Sequence, residues 1–104
     1  MINLSEALLE IFKNERRLRI IKYLLAKGNN PREGAYISEI GEKLNISKGT
    51  AFVNLSELER AGILVHTWEL KEEDSTKKAV KVYHLSPKLP ANVRGSIEKL
   101  VKEL

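Results

Sequence analysis

The stretch ISEIGEKLNISKGTAFVNLSELERAG, residues 37–62, constrains this chain more than any other. It predicts two short helices joined by a tight corner. Ser38 stands where an N-cap belongs, ahead of a helix that buries Ile40 and Leu44 at i, i+4 spacing. Asn45 takes the stop position, because Asn, after Gly, best tolerates the left-handed conformation found there. Ile46 fills the corner. Ser47 then caps a second helix with a buried stripe of Ala51, Leu55 and Leu58, and Gly62 ends it. Two helices with so short a joint cross steeply, as in a helix-turn-helix, here residues 38–61. In that motif the second helix enters the DNA major groove with its N-terminal residues first.

The start of the second helix carries residues that a plain solvated helix does not need. Lys48 lies in the first turn, where the helix dipole disfavours a cation, and Gly49 follows where Ala makes a better helix. Projected at about 100° per residue from Ala51, residues Gly49, Val53, Ser56 and Arg60 point away from the core. Phe52 and Lys48 fall on one flank, and Asn54 on the other. Singly exposed apolar residues are ordinary. The alternative is that Val53 and Phe52 meet thymine methyls, while Lys48 and the free backbone N–H groups meet phosphate.

Upstream, Asn3 and Glu6 suit a capping box, and Leu4, Leu8 and Ile11 form a stripe in a helix over residues 4–13. Asn14 can cap the next helix, residues 15–27, ended by Gly28. That helix is apolar on two sides, Leu18/Ile21/Leu25 and Ile20/Leu24, which places it at the centre of its domain. Arg16, Arg17 and Arg19 in its first turn are either a solvated edge or a grip on phosphate or carboxylate. NNPREG, residues 29–34, is a loop by composition, with Arg32 expected in solvent. Ala35 to Ile37 can add a short strand.

After Gly62 the period changes to two. ILVHTWEL and VKVYHL flank KEEDSTKKA, which predicts a hairpin with a long, mobile tip over residues 63–85, a wing. Lys77, Lys78 and Lys81 are expected against DNA backbone or minor groove, with Glu72, Glu73 and Asp74 held off it. A mixed tip is otherwise an ordinary solvated loop. Trp68 is expected to pack on the body. His66 and His84 face each other if the hairpin centre lies near Ser75, but further zinc ligands are lacking and no metal is expected.

Pro87 and Pro90 break the chain before a last helix, residues 91–104. Val93, Ile97, Leu100, Val101 and Leu104 form a stripe that needs cover. Folding back on the same domain is one solution. The expected one pairs it with Leu4, Leu8 and Ile11 and their symmetry mates across a two-fold axis. Residues 1–86 thus form the winged domain and residues 87–104 a dimerisation helix. The fold class is mainly α with a small β-hairpin, α+β.

A formal charge of +4 and a pI near 9.4 favour an anionic partner only mildly. The absence of Cys excludes disulfides, thiolate metal sites and cysteine redox sensing. Charged residues at 31% without any Gln lean towards a heat-stable protein. No signal peptide or membrane-spanning run is evident, so a cytoplasmic location is expected. Nothing suggests an enzyme or a cofactor: there is no Gly-rich phosphate loop, and Ser38 and Ser47 read as caps.

NERRLRIIKYLL, the helix-turn-helix segment through Gly62-Ile63-Leu64, and VYHLS closing the wing together resemble the ArsR-type branch of winged-helix regulators, especially its metal-independent archaeal members. The resemblance spans residues 4–86. It implies a DNA-reading segment at Ser47, Lys48, Gly49, Thr50, Phe52, Val53 and Asn54, a wing on the flanking groove, and terminal helices that dimerise. Metal-sensing relatives carry a cysteine box in the motif's first helix, or His and Asp in the terminal helix. SEIGEKL replaces the first, and the second has neither. The expected function is a homodimeric, sequence-specific double-stranded DNA-binding transcriptional regulator without a metal switch, and a repressor because the chain shows no activation surface. The competing reading is a winged helix used for protein contact or for non-specific architectural DNA binding.

Overall fold

Chain punctuation sets the element order. The structure, a computed structural model, describes residues 3–27 and 34–103, so Gly28, Arg32 and Leu104 lie outside the described residues. Helix α1 is Leu4–Ile11, α2 is Glu15–Lys27, β1 is Ala35–Tyr36, α3 is Ile37–Leu44 and α4 is Lys48–Arg60. Strands β2, Leu64–Glu73, and β3, Thr76–Leu85, follow, and α5 is Ala91–Lys102. The sheet is antiparallel in the order β1-β3-β2. Among the described residues no helix is long and apolar enough to cross a membrane.

Caps explain most helix ends. Asn3 Oδ1 accepts from the Glu6 N–H at 2.9 Å and starts α1, and Asn14 Oδ1 accepts from the Arg17 N–H at 2.8 Å and starts α2. Helix α3 begins two residues earlier than expected: Tyr36 is its N-cap and Ser38 lies exposed inside its first turn. The pairing of β1 with β3 holds Tyr36 in extended backbone, so the helix starts as soon as the strand ends. Asn45 adopts the left-handed conformation, φ 55° and ψ 49°, and Ile46 N–H returns to the Gly41 carbonyl at 3.0 Å. Gly41 eases this close approach, since a Cβ there would stand a tight 3.0 Å from the Ile46 carbonyl oxygen. Helix α4 closes with Gly62 at φ 85° and Ile63 N–H bonded to the Leu58 carbonyl, a Schellman end.

The core is one cluster. It joins Ala7 and Ile11 of α1, Ile20, Ile21 and Leu24 of α2, Ile40 of α3, Ala51, Leu55 and Leu58 of α4, and Leu64 and Tyr83 of the sheet. Val93, Ile97 and Val101 of α5 belong to the same cluster. This corrects the dimerisation stripe. Ile11, Val93, Ile97 and Val101 are already buried by their own chain, so they have no surface left for a partner, while Leu4 and Leu8 are half-buried. The terminal helix is therefore part of the folded body and not an appendage to it. Rotating α1 to bury Ala7 with Ile11 leaves Leu9 and Phe12 outside, 73% and 44% exposed.

The hairpin is also tighter than expected. Pairing continues out to Glu73↔Thr76, and only Asp74 and Ser75 turn, with φ of 51° and 67°. Positive φ at both central residues matches the right-handed twist of a hairpin, and Asp tolerates it well. In place of a long loose tip, two ten-residue strands project from the body.

Candidate nucleic-acid interface

Helix α4 is anchored by its inner stripe and capped by Ser47, whose Oγ accepts from the Thr50 N–H at 3.1 Å and donates to Thr50 Oγ1 at 2.8 Å. Outside, Lys48 and Gly49 are exposed, Phe52 and Val53 are 47% and 53% exposed, and Arg60 continues the face. The first intrahelical bond of α4 runs from Ala51 N–H to the Ser47 carbonyl, which leaves the Lys48 and Gly49 N–H groups ahead of it for an anion. One expected contact is corrected. Asn54 is buried, its amide donating to the Thr50 carbonyl at 2.9 Å and accepting from Asn14 Nδ2 at 3.2 Å. It faces α2 instead of the groove.

Two acids on α4 would oppose DNA if left free. Glu57 is ion-paired with Arg17 of α2, and Glu59 Oε2 lies 2.5 Å from His66 Nδ1 of β2. Each acid is drawn to a flank, leaving Lys48 and Arg60 as the charges of the outer face. The arginines of α2 divide into three roles. Arg17 is 2% exposed and holds carboxylates; Arg19 Nη2 donates to the Leu44 carbonyl at 2.6 Å, closing the end of α3. Arg16 is exposed to solvent.

Register sorts the wing. Trp68, Leu70 and Glu72 share one face with Lys81, Ala79 and Lys77, continuing the face on which His66 meets α4. Thr67, Glu69 and Lys71 share the other with Val82, Val80 and Lys78. Lysines and acids are thus not segregated, because Glu72 stands directly opposite Lys77. Lys71, which the composition of the tip does not single out, pairs with Lys78 and makes a basic spot on the far face. Trp68 is exposed and does not pack on the body; Lys81 Nζ lies 5.6 Å from its ring centroid.

The two histidines do not face each other. The turn is centred between Asp74 and Ser75, so His66 stands opposite Tyr83 and His84 opposite Val65, on opposite faces. His84 is buried, with Nε2 3.0 Å from Thr67 Oγ1. Among the described residues no three His, Asp or Glu side chains converge as for a metal.

Behind the corner, Glu39 of α3 accepts from Tyr23 Oη, from Lys27 Nζ at 2.6 Å and from the Tyr36 N–H at 3.4 Å. Burial opposes the Glu39 charge, but donation by Lys27 and Tyr23 outweighs it and holds the carboxyl below its ordinary range. Burial, then the bond to Glu39, pushes the Tyr23 phenol up to about 12. This network fixes α3, and through the turn the entry of α4, against α2.

Residues 14–67 match a family described as a helix-turn-helix domain. Among solved structures, reduced HlyU from Vibrio cholerae N16961 is 27% identical with a TM-score of 0.65, over 96% of this chain and 87% of that one. Another HlyU structure from the same organism is 26% identical, TM-score 0.61, over 96% and 90%. The transcriptional regulator HlyU from Vibrio vulnificus CMCP6 shares the fold at 24% identity, TM-score 0.61, over 95% and 85%. No curated protein sequence matches the chain.

Proposed function

Because the chain belongs to this helix-turn-helix family and is of the ArsR type, a DNA-binding transcriptional regulator, we propose that it acts as a homodimeric repressor of a palindromic operator. The observation that carries this reading is the outer face of α4. Lys48 and the free N–H groups lie at its N-terminal end, its apolar side chains follow, Arg60 closes the face, and both nearby acids are paired off to the flanks. Ser47, Lys48, Gly49 and Arg16 hold phosphate, Thr50 supports the cap, and Phe52 and Val53 meet base edges. Lys77, Lys78 and Lys81 of the wing, with Lys71, grip the flanking backbone.

Dimerisation uses the surface left after α1 and α5 pack on each other. Leu9 and Phe12 line an apolar groove of about 850 Å³ with Leu8, and Leu100 is exposed on α5. Two copies related by a two-fold axis place their α4 helices about one helical turn, roughly 34 Å, apart. Bound there, the dimer represses by occupying the promoter. No metal takes part in this scheme, and added zinc or a chelator should leave operator affinity unchanged.

The test is selection from random duplex DNA at two salt concentrations. A palindrome enriched with steep salt dependence supports the reading. Salt-sensitive retention without a motif indicates an architectural binder, and no retention at low salt indicates protein docking through Phe52 and Val53.

A further inference from the structure

Arg17 sits where three helices meet. It projects from α2, and its Nη1 donates to both the Glu10 carbonyl oxygen at 3.1 Å and Glu10 Oε2 at 2.8 Å, at the end of α1. Its Nη2 is paired with Glu57 of α4. The guanidinium is a planar fork, so one side chain fixes two partners in a set geometry, which a lysine does not do. A second strut runs parallel to it. Asn14 caps α2 through its Oδ1 and donates through Nδ2 to Asn54, which in turn holds the Thr50 carbonyl.

These contacts connect two surfaces that the DNA reading uses. Glu10 lines the same groove as Leu9 and Phe12, the proposed dimer face. Glu57 and Asn54 lie on α4. Turning α4 relative to α1 would strip a buried guanidinium, whose Nε already has no partner, of one of its two carboxylates. The two helices therefore move as one piece.

We propose that Arg17 is a positioning residue that sets the spacing between half-sites by locking α4, the proposed recognition helix, to α1, which carries the proposed dimer face. This rests on the homodimeric DNA-binding reading. In a dimer, each added base pair separates the half-sites by about 3.4 Å and rotates them by roughly 35°. A rigid α1–α2–α4 joint tolerates one spacing, and a loosened joint tolerates several.

The test compares wild type, Arg17→Met and Glu57→Gln on duplexes carrying one half-site or two half-sites at graded spacings, with dimer mass followed by sedimentation. Glu10 and Glu57 are partly exposed, so either carboxylate can be hydrated when Arg17 is replaced. Glu57→Gln keeps the Arg17–Glu10 contact and removes the charge on α4, which covers the case in which Arg17→Met fails to fold. For Glu57→Gln we expect single half-site affinity within about twofold of wild type, and for Arg17→Met, which frees the Glu57 carboxylate, a uniform loss of about two- to fivefold; in both, the preference for the best spacing over its neighbours falls at least about threefold, as for coupled residues in one network. A folded, dimeric Glu57→Gln protein with spacing preference as sharp as wild type overturns the proposal. A parallel loss at single and double half-sites with spacing preference unchanged also overturns it, since that is a structural effect alone. Wild type that ignores the second half-site overturns instead the dimeric reading on which it stands.

Discussion

Glu59 Oε2 in the last turn of α4 and His66 Nδ1 on β2 lie 2.5 Å apart, so α4 and the wing share a side-chain hydrogen bond. The bond holds to one flank an acid that otherwise stands beside the proposed DNA-reading face. His66→Ala should free that acid and weaken binding to all duplexes, whereas Glu59→Gln should leave binding equal or tighter. The expected weakening corresponds to about 0.5–1 kcal/mol, the scale of a partly exposed charge pair. Anisotropy titrations on one duplex at low salt check the opposite signs. Equal weakening by both substitutions would assign the pair a purely mechanical role.

Lys48→Ala should weaken binding to every sequence and reduce the log–log salt slope by about one. Phe52→Ala should change which sequences are enriched while leaving that slope intact. Lys71→Ala, on the far face of the wing, should behave like Lys78→Ala opposite it. Titrations at graded salt separate the charge effect from the sequence effect.

Stability and association should be separable on the terminal helices. Ile97→Ala leaves a cavity in the shared core and should cost about 2–5 kcal/mol in denaturant unfolding. Leu9→Ser removes an exposed side chain and should spare the monomer fold while shifting sedimentation towards the monomer. A Leu9→Ser protein that remains fully dimeric would move the interface elsewhere.

The Glu39 network gives a pH signature at both extremes. Glu39 is held below its ordinary value, so its contribution is present above the unfolded carboxyl range and is lost as pH falls through the lower folded value. Tyr23 is raised from 10.0 to about 12, so its contribution is present below 10.0 and is lost as pH rises through about 12. Thermal midpoints of Glu39→Gln should fall less steeply in acid than those of wild type. Tyr23→Phe should remove the late-titrating phenolate from the alkaline absorbance curve.

The elements that local chemistry decides were legible in the sequence. Asn45, Ser47 and Gly62 punctuate the two helices of the motif as their backbone preferences require, and the change of period after Gly62 marks the wing. What depends on distant neighbours was not. Asn54 projects to a flank of α4 that could face solvent, and Asn14, forty positions away, turns it inward. Arg17 reads as part of a basic run, yet Glu10 and Glu57 make it a buried joint. The stripe of Val93, Ile97 and Val101 was evident, but periodicity does not say whether the same chain or another covers it. A turn centred between Asp74 and Ser75 instead of on Ser75 shifts the register by one residue and sends His66 and His84 to opposite faces.

The central claim is that two α4 helices of one dimer occupy successive major grooves on one face of a duplex. Hydroxyl-radical footprinting of a selected duplex tests it most directly. Two protected segments related by a two-fold axis, about one helical turn or 10 base pairs apart, are the predicted result. A single protected segment, or uniform protection without a repeat, would contradict it.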